Sequence, residues 1–256
     1  MQQTYVSFIS DEDFMACIEY LYEGYRVAYS NKDMKSFIKN KIDPVKWVMD
    51  GSFLRLNMSE NIKRELVRQA DRAVSNRIGL FHERLIGTLQ GYRQLPIGEG
   101  VDLQSDNQTI AVEVKNKHNT VKGSDQITIF NGLLQKIEDE KSPFKEGYYV
   151  RIWDTRSRIE PWVLTYKKKV YKHDNIFIAS ADQFYWKLTG EKDAFSQIMT
   201  ALPRAAKDFV DSLQEAHNSA LQSQPDSAFA DDYSLMSDDQ QLQALIHENF
   251  KHYVGF

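Results

Sequence analysis

Apolar residues in the first 92 positions recur at helical spacing. Residues 11–29 predict one helix, with Asp11 and Asp13 available to its N-terminus. Asp43-Pro44 opens a short helix through Trp47 and Met49, since proline suits a first turn. Ser59 is placed to cap a long helix through Ile62, Leu66, Ala70 and Ala73. A continuing or second helix, about residues 77–90, carries Ile78, Phe81, Leu85 and Leu89 on its core face. The pattern then changes. Residues 95–106 are rich in Gly, Pro and Asp, predicting a tight connection or a short irregular strand. Thr109 to Asn116 alternate as a strand, with Ile110, Val112 and Val114 facing the core and Ala111, Glu113 and Lys115 facing the other way.

Beyond it, Ser124 precedes a helix through Ile127, Phe130, Leu134 and Ile137. Strands are predicted at YYVRIWD, IEPWVLTY and NIFIAS, and a helix starts near Ala181. Another helix covers about residues 193–221, with Pro203 as a kink or break. A polar linker leads to a last amphipathic helix at 240–253. There is no internal repeat. The order describes an α/β fold, a mixed central sheet flanked by helices. It divides into a helical N-terminal region packed on the core (1–92), a core (93–221), and an acidic linker with a C-terminal helix (222–256).

Composition narrows the class. The chain has 256 residues, 42% hydrophobic and 27% charged, an ordinary globular balance. No run approaches the roughly 18 apolar residues of a membrane span. The first residues lack a basic segment followed by an apolar one, so secretion is not expected. A single cysteine, Cys17, excludes an internal disulfide and a cysteine-based zinc cluster; in CIEYLY it reads as a small buried residue. These features point to a reducing cytoplasm. The net charge of −4 argues against a nucleic-acid partner until its distribution is considered. Residues 211–256 hold eight acids and one base, so the remaining body carries a net +3. That body can offer a phosphate-binding face or simply a mildly basic surface.

The candidate chemistry lies around the alternating strand. Side chains of Glu113 and Lys115 point the same way because strands alternate with period two. Asp102 lies eleven positions before Glu113, across a turn-rich stretch that can fold back as a hairpin and bring the two carboxylates together. Two carboxylates and the Val114 backbone carbonyl are the hard oxygen donors that Mg²⁺ takes, with sites left for water and phosphate. Lys115 can orient a water and offset charge developing on phosphate oxygens. A bare Glu-x-Lys triplet arises about once by chance in a chain this long, and its plain reading is a solvated salt pair. Context favours chemistry: the triplet follows a Gly-x-Asp turn and leads into a polar loop and a helix.

Gly100-Val101-Asp102 followed by Glu113-Val114-Lys115 resembles the PD-(D/E)XK nuclease signature. The extension Lys115-Asn116-Lys117-His118-Asn119-Thr120 is similar to a run in a family of type II restriction endonucleases that cut GGNCC-like sites. The general signature covers about 15 residues and is loose; the KNKHNT run is more specific. The resemblance implies a restriction-endonuclease-like α/β core, a homodimer, Mg²⁺ dependence and double-stranded DNA as substrate. This chain departs from the signature in carrying Val101 in place of proline, and Glu99 and Asp106 remain rival carboxylates to Asp102.

Related nucleases often draw one more acid from the preceding helix. Glu83 is the candidate here, because Gly79 and Gly87 flank it on one helical face and permit a close approach. Its plain reading is an exposed helical glutamate, and His82 beside it reads as packed or solvated. Lys117, His118, Asn119, Thr120 and Lys122 supply donors for phosphate oxygens and base edges. Lys167-Lys168-Lys169, between Tyr166 and Tyr171, can touch a DNA backbone or guard an exposed strand edge. Trp153, Trp162 and Phe184-Tyr185-Trp186 read as core. The leading expectation is a Mg²⁺-dependent type II restriction endonuclease, dimeric to match a palindromic site. A structure-specific or repair nuclease of the same superfamily, or a non-catalytic DNA-binding module, are the alternatives.

Overall fold

The computed structural model describes residues 5–30, 37, 42–96, 101–107, 109–117, 121–213, 247 and 250–255. Three helices come first: α1 (Asp11–Tyr29), α2 (Pro44–Phe53) and α3 (Met58–Gly87). Ser10 caps α1 by accepting from the Asp13 backbone N–H, and Asp11, Glu12 and Asp13 place negative charge at its N-terminus. The long helix α3 is continuous over the region where one or two helices were expected. It is capped by Asn57, not Ser59: Asn57 accepts from Glu60 N–H while the Glu60 carboxylate reaches back, a reciprocal capping box. Ser59 already lies in the first turn.

Eight strands follow: β1 (Tyr92–Gln94), β2 (Leu103–Ser105), β3 (Ile110–Lys117), β4 (Glu146–Trp153), β5 (Ile159–Pro161), β6 (Leu164–Tyr166), β7 (Lys169–Tyr171) and β8 (Ile176–Ser180). Helix α4 (Gly123–Glu138) connects β3 to β4, and α5 (Ala181–Thr189) and α6 (Ala194–Ser212) follow β8. Six strands form a mixed sheet in the order β1-β2-β3-β4-β8-β5, with β3, β4 and β8 parallel and the outer pairings antiparallel. IEPWVLTY is not one strand. Ile159–Pro161 pairs with β8, whereas Leu164–Tyr166 turns away to form a separate hairpin with β7.

The central strands are covered on both faces, as parallel strands usually are. On one face Val112, Val114, Tyr148, Val150 and Ile152 pack with Phe14 of α1, Phe81 and Leu85 of α3, and Phe184, Phe195 and Ile198 of α5 and α6. On the other, Ala111, Tyr149 and Ile178 pack with Phe130 and Leu133 of α4 and with Trp162. The Ala111–Glu113–Lys115 face is therefore not a solvated side; α4 roofs it. Helix α6 runs through Pro203 rather than ending there. Phe250 and Tyr253 pack on Phe195, and the Tyr253 hydroxyl donates to Ile152 O (3.0 Å) and accepts from Asp154 N–H (2.6 Å). The described end of the chain thus rests on the core, while most of the expected last helix and the acidic stretch before it lie outside the described residues. Cys17 is fully buried, and burial raises its thiol to about 11. No described helix is long and apolar enough to cross a membrane.

Candidate active site

The β2–β3 hairpin builds the site. Leu103 pairs with Val112 and Gln104 with Ala111, so one register step further sets Asp102 across from Glu113. Asp102 N–H donates to Val112 O at 2.9 Å. Strand β2 ends there, and the next inward N–H of β3 is taken by a side chain: Val114 N–H donates to Asp102 Oδ2 at 2.7 Å. That bond fixes the carboxylate beside Glu113. Lys115 Nζ then lies 2.6 Å from Glu113 Oε1, 3.0 Å from Val114 O and 3.8 Å from Asp102 Oδ2.

A cleft of about 550 Å³ opens on these groups, walled by Leu80 and Glu83 of α3, Asp102 and Glu113, and Thr128 and Ile129 of α4. A neighbouring cleft of about 490 Å³ shares Thr128 and Ile129 and reaches Lys115. Three carboxylates thus share a poorly solvated space with one ammonium. Burial raises Asp102, and burial with the Asp102 charge raises Glu113. Burial, again with the Asp102 charge, pushes Glu83 up to about 7, against a hydrogen bond from Gln94 Nε2 (3.3 Å) that opposes the shift. Burial disfavours the Lys115 ammonium, but the Glu113 and Asp102 charges outweigh it and hold the group above its ordinary value. A site with surplus negative charge and hard oxygen donors suits a divalent cation. Asp102, Glu113 and the Val114 carbonyl are the donors that fit, and among the described residues no three His, Cys, Asp or Glu side chains form a closed metal cage.

The model of the Eco47II restriction endonuclease family matches residues 6–211. The chain belongs to the Eco47II restriction endonuclease family. It is similar to the type II restriction enzyme Sau96I of Staphylococcus aureus, 39% identical over 231 residues covering 86% of this chain and 87% of that protein. It is also similar to the type II restriction enzyme Eco47II of Escherichia coli, 32% identical over 209 residues covering 78% and 86%. Its mixed sheet with flanking helices has the restriction-endonuclease-like architecture.

In this restriction endonuclease, Glu83, Asp102 and Glu113 line one cleft, and Lys115, bonded to Glu113 and to the Val114 carbonyl, lines the neighbouring one. The rival Asp106 sits past the far end of β2, exposed, away from Glu113; Glu99 lies outside the described residues. Lys117 ends β3, exposed, with Nζ 5.3 Å from the Trp153 ring centre. Lys122 is the N-cap residue of α4, where its carbonyl accepts from Asp125 and Gln126 N–H. His118, Asn119 and Thr120 lie outside the described residues. His82 is buried against Phe81, and burial lowers it to about 4. The glycines around Glu83 differ. A Cβ on Gly87 would fall 2.9 Å from Gln94 N, so its absence lets β1 lie against α3, whereas Gly79 faces open space.

Two neighbours of the site carry no local sequence signal. Tyr149 and Arg151 of β4 stand in register with Glu113 and Lys115 and share their face. The Arg151 guanidinium lies 5.1 Å from the Tyr149 ring centre, and its Nη1 is 3.3 Å from the fully buried Asp154. The alternation in YYVRIW puts the two on one face, but the pairing partner of β4 was invisible without the register.

Proposed function

We propose that this member of the Eco47II restriction endonuclease family hydrolyses phosphodiester bonds of double-stranded DNA, with Mg²⁺ as cofactor, at a short palindromic site of the GGNCC type. Supporting the reading above all is the Lys115 ammonium held against Glu113 and Asp102, the two carboxylates that line the cleft with Glu83. Asp102, Glu113 and the Val114 carbonyl would hold the ion, with Glu83 supporting them from α3. A bound Mg²⁺ supplies Lewis acidity to the scissile phosphate and acidifies water.

The side chains divide the remaining work. Lys115 exchanges its contact with Glu113 for the attacking water and the phosphate oxygens, which it orients and neutralises. The water oxygen bonds to phosphorus as the P–O bond to one sugar oxygen breaks; Glu83, the cleft carboxylate not assigned to the ion, would take the proton of the water, and solvent would protonate the leaving sugar oxygen. Lys117 and Lys122, with His118, Asn119 and Thr120, would contact phosphates and base edges beyond the cut. Cutting both strands of a palindrome calls for two such sites related by a two-fold axis, hence a homodimer. Its place of action is the cytoplasm.

Digestion of a plasmid with and without Mg²⁺ tests the proposal. Discrete fragments with common end sequences, formed only with the metal, are expected. A smear or structure-dependent nicking would replace it with the repair-nuclease reading, and no cleavage under any divalent metal would leave a DNA-binding module.

A further inference from the structure

We propose that the β6–β7 hairpin is a second DNA contact, gripping the phosphate backbone of the substrate duplex beside the active-site cleft through Lys167, Lys168 and Lys169; this rests on the nuclease reading above. Tyr166 pairs with Lys169, so Lys167 and Lys168 alone form the turn. Both have left-handed backbone, with φ 47° and 68°. Two-residue turns of this kind favour Asn-Gly, because a side chain with φ above zero crowds its own backbone. Lysine brings no local hydrogen bond that would compensate, and strained side chains of this sort gather at functional sites.

Edge protection does not explain them. The hairpin stands apart from the six-stranded sheet, and two of the three lysines occupy its tip rather than a strand. None of the three is in an ion pair within the described residues, and all are exposed. The ammonium groups of Lys167 and Lys169 rest over the faces of Tyr166 (5.4 Å) and Tyr171 (4.9 Å), which gathers the charge on the exposed hairpin without neutralising it.

Location supplies the purpose. The Tyr166 ring lies 3.4 Å from the position a Cβ on Gly123 would take, and Tyr171 meets Phe130 edge-on at 6.2 Å. Gly123 and Phe130 belong to α4, whose Asp125, Thr128 and Ile129 wall the cleft that reaches Lys115. The hairpin is therefore braced on the same helix that borders the catalytic groups. A phosphodiester backbone is the ligand that matches clustered, exposed cations next to a phosphate-cleaving site.

The test measures binding of a short fluorescent duplex over a series of salt concentrations, with Ca²⁺ replacing Mg²⁺, for wild type and two double variants. Lys167→Asn with Lys168→Gly removes two charges and relieves the turn. Lys167→Gln with Lys168→Gln removes the charges alone. Each phosphate contact contributes about −0.9 to the slope of log affinity against log salt. Both variants should flatten the slope by up to two such contacts per protomer, four per bound dimer, and weaken binding at low salt by about tenfold or more, while the Asn-Gly variant unfolds at or above the wild-type temperature. Wild-type affinity and slope in both variants of a DNA-cutting protein would overturn the hairpin contact alone. A wild type that neither binds nor cuts DNA would remove the nuclease reading and this inference with it.

Discussion

The two hairpins of this protein solve opposite electrostatic problems. The β2–β3 hairpin is buried between α3 and α4 and concentrates carboxylates, so Asp102, Glu113 and Glu83 all resist ionisation and lean on one lysine. The β6–β7 hairpin is exposed and concentrates ammonium groups that meet no carboxylate among the described residues. Burial makes charge expensive and therefore chemically useful in the first; exposure keeps it cheap and suited to long-range attraction in the second. The helix α4 touches both, so the cleft at Lys115 and the cationic hairpin share one support.

Removing the cation should separate the hairpins most sharply. Lys115→Ala is expected to lower single-turnover cleavage by about 10³-fold while DNA still binds, since charge stabilisation in a dry site is worth about that much. Equal loss of binding would instead make Lys115 a docking residue. Next comes Asp102→Asn set against Asp106→Asn. The first should cut cleavage by about 10²-fold with the fold preserved, because an amide oxygen can still accept from Val114 N–H; the second, on an exposed acid, should fall within about twofold of wild type. A reversal of that order would move the metal site to the other end of β2.

Glu83→Gln should have a smaller effect, about tenfold, and a diagnostic pH dependence. Folding raises Glu83 from 4.5 to about 7, so between those values the folded chain holds a proton that the unfolded chain has released. Without metal, the stability from this group is therefore present at low pH and is lost as pH rises through about 7. Chemical denaturation across that window should show a shallower decline in the Gln variant, and an identical profile would place Glu83 in water. The smallest changes concern the helix behind it. Gly87→Ala should destabilise by about 1–3 kcal/mol by pressing on Gln94. Gly79→Ala, facing open space, should stabilise by about 0.5–1 kcal/mol. Thermal unfolding distinguishes the pair.

The first hairpin was legible in the sequence because its signals are local. Alternation fixed Glu113 and Lys115 to one face, and turn residues between Asp102 and Thr109 implied the fold-back. What covers that face was not legible: the Glu113–Lys115 pair also fitted a solvated side, and only the packing of Ala111 against Phe130 and Leu133 shows otherwise. Asn57 was overlooked as a cap because Ser59 and Asn57 both fit the residue preference, and the reciprocal Glu60 decided it. The second hairpin was hidden inside IEPWVLTYKKKVY, where apolar and lysine-rich stretches gave no turn residue to split them. Two lysines with positive φ are a solution that local preference argues against, so no propensity rule could have found it. Tyr149 and Arg151 needed the register between distant strands.

If the cluster beneath α4 cuts DNA with a metal held by Asp102 and Glu113, the single-turnover cleavage rate of a plasmid across a Mg²⁺ series will separate wild type from Glu113→Gln. Wild type should show a saturable rise to discrete fragments, and the variant no cleavage at any concentration despite binding the DNA. Cleavage by Glu113→Gln at the wild-type rate would contradict the claim.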